Sequence, residues 1–417
     1  MNFELRNFGK ISKANVKLDG ITVICGNNNT GKSTVGKALF SFYNSLYDYK
    51  ARIAEYKLSE IRNYISKFSD MRVNDISEET ITKGKNFLET YLNKDVIAEI
   101  ENKYSISEDK ILSELVYRYF DLIMNKEVAR KRKRTTTKEC VVKAIFKGNI
   151  IDELKFTDQK WHCNISEPIA HKAYYINSPY VLDYLNNQEI DISSLSMLER
   201  NVIEAIQKAQ AQLKANSMSN ILDAVSNKDD LSEVMKVLEN AYDGETHIDN
   251  GLYVYKEKNG IQIDFRNISA GLKAFALIER LLKGGVLKKK DVLILDEPEI
   301  HLHSEWQIYY AELIVALQKK FDLTILLVTH SFQFLESLNF FMKKYEISDR
   351  GNYYIPEERN DGYVMKSYGK NPDELKLNLV KGSVKLANDI FDYEMKQVDF
   401  DDETWTDEET QVSCDET

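Results

Sequence analysis

The chain has 417 residues, of which 43% are hydrophobic and 29% charged, with 5 prolines and 4 cysteines. That length allows two or three domains' worth of material with a sizeable core, and the apolar share excludes a wholly disordered or fibrous chain. The formal net charge of −10 averages over unlike parts: residues 392–417 hold eleven acidic residues against the single Lys396, so 1–391 is balanced. The opening MNFELRNFGK lacks the apolar stretch of an export signal, and no run of about 18 apolar residues occurs. Cys25, Cys140, Cys163 and Cys414 show no metal-binding spacing. The expectation is a cytoplasmic protein with no membrane contact.

In chain order, NFELRNFGKI, ANVKLDG and GITVICG read as short strands, and a helix follows from Gly31 with Val35, Ala38, Leu39 and Phe42 on one face. A polar, helical stretch comes next, then strands at 140–156 and 172–178. Leu198, Val202, Ile206, Ala209 and Leu213 recur at helical spacing within a helical stretch over 195–242. GLYVYKEKNGIQIDF reads as a hairpin turning at Lys258-Asn259-Gly260. The spacing then predicts a helix over 271–284, a buried strand over 292–296, a helix over 304–319, a buried strand over 323–329 and a hairpin over 352–369. Two continuous apolar strands separated by a helix indicate a parallel βαβ unit covered on both faces. The resulting division is an N-terminal lobe (1–47 with 140–190), a helical insertion (48–139), a helical segment (191–250), a C-terminal lobe (251–396) and an acidic, disordered tail (397–417).

Four motifs carry chemistry. Gly26-Asn27-Asn28-Asn29-Thr30-Gly31-Lys32-Ser33-Thr34 fits the phosphate-loop pattern between a buried strand and a helix. Its backbone N–H groups wrap phosphates, Lys32 neutralises the terminal oxygens, and the Ser33 hydroxyl reaches Mg²⁺. Asn29 stands where glycine is common, and asparagine tolerates positive φ. The strand Leu293-Ile294-Leu295 ends in Asp296 and Glu297, paired acids that suit Mg²⁺ and the attacking water respectively. His330 closes the next strand, where it suits a sensor of the γ-phosphate. Ser269-Ala270-Gly271 opens a helix, which reads either as an anion site or as a plain cap. The basic run Arg130-Lys131-Arg132-Lys133-Arg134 has three readings: a nucleic-acid contact, a solvated loop, or a partner for the acidic tail.

The order phosphate loop, ISAGLK, LILDEPEIHLH and VTH resembles the ABC-type ATPase heads. The start, ELRNFGKISKANVKLDGITVICGNNNTGKST, looks like the RecF/SMC branch of that superfamily. DEPEIHLHSEWQ is similar to a stretch of the OLD-like and related stand-alone ATPases of bacterial defence modules, among them the Septu and PARIS ATPase subunits. The resemblance covers roughly 1–45 and 265–340. It implies an α/β, two-lobed ABC-ATPase head with a mixed sheet, a phosphate loop and helical insertions, binding ATP and Mg²⁺ and dimerising around them. Ser269, Ala270, Gly271 and Lys273 of one subunit would face the γ-phosphate held by the other, with His303 in the subunit-facing loop and Asn7 to Lys10 near the adenine. His301 and His303 as a metal pair is the weaker reading beside that motif. Ala270 and Leu272 stand where transporters have glycine and glutamine, and Ser304 replaces a usual proline, so turnover is expected to be slow. The function implied is an ATPase that scaffolds or regulates a separate effector, a nuclease or toxin. The alternative is a repair ATPase of RecF/SMC kind that binds DNA without an effector.

Overall fold

The structure, a computed structural model, describes residues 1–68, 93–125, 139–146, 150–157, 160–186, 191–214 and 228–373, with scattered positions between 375 and 393. The basic run 130–134 and the tail 397–417 lie outside the described residues. Strands β1 (Asn2–Phe8), β2 (Ile11–Lys17) and β3 (Ile21–Cys25) lead into helix α1 (Lys32–Leu46). The insertion supplies α2 (Tyr49–Phe68), α3 (Lys94–Tyr104) and α4 (Glu108–Ile123). Strands β4 (Cys140–Phe146), β5 (Ile150–Thr157), β6 (Lys160–Asn164) and β7 (Ala173–Ile176) come next, then a 3₁₀ turn at Pro179–Leu185 and helices α5 (Met197–Lys214) and α6 (Lys228–Ala241). Strands β8 (Gly244–Asp249), β9 (Leu252–Glu257) and β10 (Gln262–Asp264) precede α7 (Ala270–Lys283), β11 (Val292–Asp296), α8 (Ser304–Phe321), β12 (Thr324–Thr329) and α9 (Phe332–Lys344). The hairpin β13 (Gly351–Arg359) and β14 (Gly362–Ser367) follows.

Eleven strands form one mixed sheet in the order β6-β5-β4-β1-β2-β14-β13-β3-β12-β11-β7. Its β7, β11, β12, β3 and β13 run parallel, while β2, β1, β4, β5 and β6 form an antiparallel meander. The hairpin β13–β14 joins the halves, β13 lying parallel to β3 and β14 parallel to β2. Late strands thus sit between early ones, and the sheet interleaves the segments 1–47, 140–190 and 251–396. The expected α/β architecture, a mixed sheet with a phosphate loop and helical insertions, is present.

The continuous apolar strands serve two cores. Along β11, Leu293 and Leu295 point into one core while Val292 and Ile294 point into the other, and along β12 Ile325 and Leu327 oppose Leu326. A period of two with apolar residues at both phases is what a doubly covered strand requires. One core is closed by residues of α5 to α9 and β9, the other by residues of α1, α2 and α4. The predicted face of α1 is wholly internal, with Val35, Ala38, Leu39 and Phe42 no more than 1% exposed. The Asn-Gly hairpin is also present, with Tyr255 paired to Ile263, and β8 extends it to a separate three-stranded sheet.

Candidate nucleotide site

The parallel strands β3, β11 and β12 end side by side, so their C-terminal ends bring three motifs together. Register places Cys25 opposite Thr329 and Val328 opposite Asp296. Each motif residue then leaves the sheet on the same edge, where ligands of open α/β sheets bind.

The loop between β3 and α1 turns through left-handed backbone at Gly26 (φ 141°), Asn29 (φ 65°) and Gly31 (φ 88°), and Asn29 takes positive φ as its residue type allows. Asn28 and Asn29 are exposed, whereas Thr30 is buried and donates to the Asn27 carbonyl at 2.9 Å. Thr34 N–H closes the first turn onto Gly31 O at 3.1 Å. Lys32 is buried and donates to Gly26 O at 2.8 Å and Asn27 O at 2.6 Å. Burial lowers its pKa, and the nearby Glu297 and Asp296 carboxyls oppose that shift. Lys10, from the β1–β2 turn, donates to Asn29 Oδ1 and braces the loop from outside. Asn7 instead donates to the Glu139 carbonyl at 3.0 Å.

Asp296 accepts the Ser33 hydroxyl on Oδ1 at 3.0 Å and the Tyr175 hydroxyl on Oδ2 at 2.5 Å. Burial raises its pKa above the ordinary carboxylate range, and the two hydroxyls work against that shift. Close approach of α1 to the sheet makes this cluster possible. A Cβ at Gly36 would meet Ile294 Cγ2 at 3.0 Å and the Tyr175 ring at 3.1 Å, tighter than ordinary contact, so a larger residue would crowd α1 against the sheet beside Tyr175. Ser33 and Asp296 form a hard-oxygen pair that suits Mg²⁺ beside a phosphate loop.

Glu297 sits at φ 55°, a strained left-handed position for this residue, with its N–H on Val328 O at 2.9 Å. That turn carries its carboxylate to Nε2 of His330, where Oε1 meets the ring. The two residues assigned to hydrolysis are therefore in contact. Glu299, two residues on, is buried, and its Oε1 accepts Thr329 Oγ1 at 2.5 Å, His330 N at 2.9 Å and Ser331 N at 3.2 Å. Neither Tyr175 nor Glu299 was assigned a role from the sequence. Tyr175 lay in a strand with no motif around it. Glu299 was visible as the third acid of DEPE, a charge with an apolar neighbour on each side.

The structure does not gather ISAGLK into this cluster. Ser269 is exposed and caps α7, its hydroxyl accepting Leu272 N–H at 3.3 Å, and Ala270 is half-buried. Gly271 has a packing reason of its own, because a Cβ there would lie 2.7 Å from the Trp306 ring. Lys273 departs from the expectation that it faces a partner subunit. It is buried, paired to Asp183 at 2.6 Å, stacked 5.1 Å from the Tyr180 ring and donating to Arg266 O at 3.2 Å. A lysine one turn into an amphipathic helix points with the apolar face, and here its charge is met inside its own chain. His301 lies edge-on to Tyr180 at 5.4 Å, and His303 stands at the N-cap position of α8 without a side-chain capping bond. Among the described residues no group of three or more metal-ligating side chains of His, Cys, Asp and Glu occurs. Among them, too, no helix is long and apolar enough to cross a membrane.

A family profile described as an AAA ATPase domain matches residues 1–335. No curated protein matches the chain. Similar solved structures include an Smc head bound to the C-winged helix domain of ScpA, at 12% identity and TM-score 0.46, covering 90% of this chain and 98% of that one. The SMC head domain from Thermotoga maritima is 10% identical at TM-score 0.40, with 88% and 97% covered. The Smc head domain with an extended coiled coil, bound to the C-terminal domain of ScpA derived from Pyrococcus furiosus, is 11% identical at TM-score 0.43, with 93% and 98% covered.

Proposed function

The chain belongs to the AAA ATPase domain family, and from that premise we propose that it binds ATP with Mg²⁺ and hydrolyses it at the edge formed by β3, β11 and β12. The observation that carries this reading is the contact of Glu297 with His330 beside a phosphate loop whose Ser33 already touches Asp296. The loop amides and Lys32 hold the phosphates, Lys32 exchanging the carbonyls of Gly26 and Asn27 for phosphate oxygens. Ser33 and Asp296 would hold Mg²⁺, which would supply charge neutralisation at the phosphates. Glu297 takes a proton from the attacking water, and His330 orients that carboxylate through Nε2.

The same reading includes a dimer closed around ATP, with Ser269, Ala270 and Gly271 reaching a partner's γ-phosphate. Ser269 is exposed at a helix N-terminus, which supports that role. Beyond hydrolysis, the reading extends to a separate effector, a nuclease or toxin, that the dimer holds or releases.

The test is Mg²⁺-dependent phosphate release by the purified chain, compared with Lys32→Ala, followed by the mass and composition of what co-purifies with its chromosomal neighbours with and without ATP. ATP turnover lost in Lys32→Ala, with a second protein held in fixed ratio, is the expected result. No turnover in the wild-type chain sinks the hydrolysis reading. A lone dimer whose turnover rises with DNA and falls steeply with salt sinks the effector reading in favour of a repair clamp.

A further inference from the structure

β11 and β12 pair in parallel only as far as Asp296 and Val328. Past that point the chain after β12 leaves the sheet, and the N–H groups of His330 and Ser331 lose any strand to bond. Buried backbone donors must be met by something. Glu299 Oε1 accepts His330 N at 2.9 Å and Ser331 N at 3.2 Å together with the Thr329 hydroxyl, and Ser331 N is shared with Thr329 Oγ1 at 3.1 Å, itself bonded to Glu299. Glu297 and Glu299 flank Pro298 on one turn, which Ile300 N→Glu297 O (3.3 Å) and Leu302 N→Glu299 O (3.0 Å) close. Two carboxyls of one turn therefore grip the same histidine, Glu297 at the ring and Glu299 at the backbone. We propose that Glu299 is a positioning residue for hydrolysis, fixing the backbone at 330 and 331 so that the His330 ring stays on Glu297.

Three further observations support this role, which rests on the hydrolysis reading above. Thr329, the third donor to Glu299, is paired across the sheet with Cys25, the residue before the phosphate loop. The grip thus ties the end of β12 beside that loop. The far side of the same turn is held as well, by Ser331 Oγ donating to Gln307 Oε1 at 3.0 Å and accepting Phe334 N–H at 3.1 Å. Finally, Glu299 Oε2 is buried with no hydrogen-bond partner among the described residues. All three donors therefore converge on Oε1 alone.

The experiment uses the full chain and two readouts, steady-state ATP turnover and the ring-nitrogen NMR resonance of His330, assigned by its loss in His330→Ala. Glu299→Ala is expected to lower kcat about 10- to 100-fold with KM changed less than about twofold, because it removes an orienting partner and no substrate contact. The His330 resonance is expected to shift in the same variant. Glu299→Gln keeps the accepting oxygen and is expected to restore both readouts. A His330 resonance that does not move in Glu299→Ala overturns the proposal, as does a loss in Glu299→Gln equal to that in Glu299→Ala. A wild-type chain without turnover whose His330 resonance still shifts in Glu299→Ala overturns hydrolysis while supporting the grip. If Glu299→Ala does not fold, Thr329→Val removes one donor at constant shape, and an unmoved His330 resonance there overturns the proposal equally.

Discussion

Strand β11 has a carboxyl at each end, the buried Asp291 just before its first residue and the half-buried Asp296 as its last. Asp291 accepts backbone N–H groups, Lys172 at 3.1 Å and Lys288 at 2.9 Å, and is 4% exposed. Asp296 accepts hydroxyls of two side chains, Ser33 and Tyr175. Backbone donors cannot turn away without unfolding a loop, so Asp291 is a fixed staple between the start of β7, the loop before β11 and β11 itself. Hydroxyls rotate and can become ligands or donors to something else, so Asp296 is held in place yet can be taken over by a cation. The chemistry of the partners separates the fixed acid from the one proposed to hold the cation.

The largest expected effect lies at the working end: Glu297→Gln should lower turnover about 10²- to 10⁴-fold while a fluorescent ATP analogue still binds. Turnover equal to wild type would remove Glu297 from the chemistry and weaken the contrast. At the structural end, Asp291→Ala should cost about 2–4 kcal/mol in denaturant unfolding, since two buried amides lose their acceptor, with kcat unaltered. Asp296→Asn should reverse that pattern, lowering Mg²⁺ affinity about 10- to 100-fold in nucleotide titrations while unfolding shifts by less than about 1 kcal/mol. If the two substitutions behave alike, the distinction between fixed and rotatable partners fails. The smallest effect is a pH dependence. Burial pushes the Asp291 carboxyl up to about 6 against its ordinary 3.8, while the backbone bonds pull it back. The folded chain therefore binds a proton between those limits that the unfolded chain has lost, so this stabilisation is present at the acid end and lost as pH rises through about 6. The stability of wild type relative to Asp291→Asn should be greater near pH 4.5 than near pH 7.5, by about 1–3 kcal/mol.

Much of this edge was legible beforehand because its information is local. A loop bounded by Gly26 and Gly31 before Lys32, and a strand ending Asp296-Glu297, each state their geometry within about ten residues. Tyr175 and Glu299 were not legible, because their partners lie 121 and 30 residues away and only the strand order brings them near. The same limit hid β6 and β8, whose sequences KWHCN and GETHID are too polar to signal a strand and are stabilised by pairing with β5 and β9. Helix α9, FQFLESLNFFMKK, was also missed, although Phe334, Leu335, Leu338, Phe341 and Met342 are buried at helical spacing, because the exposed Phe332 and Phe340 blur that face. The inward turn of Lys273 could not be read from ISAGLK, since Asp183 comes from a distant 3₁₀ turn.

The hairpin β13–β14, wedged between β2 and β3, has a bearing on biosynthesis. β3 is made within the first 25 residues, yet both of its neighbours, β12 and β13, come from beyond residue 323. At about 5–20 residues per second a ribosome takes roughly 15–65 s to span that interval. During that time ITVIC, buried throughout when folded, has no native strand to pair with. Polysomes carrying this message therefore display a β-prone segment, open to holdase chaperones, until the last quarter of the chain emerges.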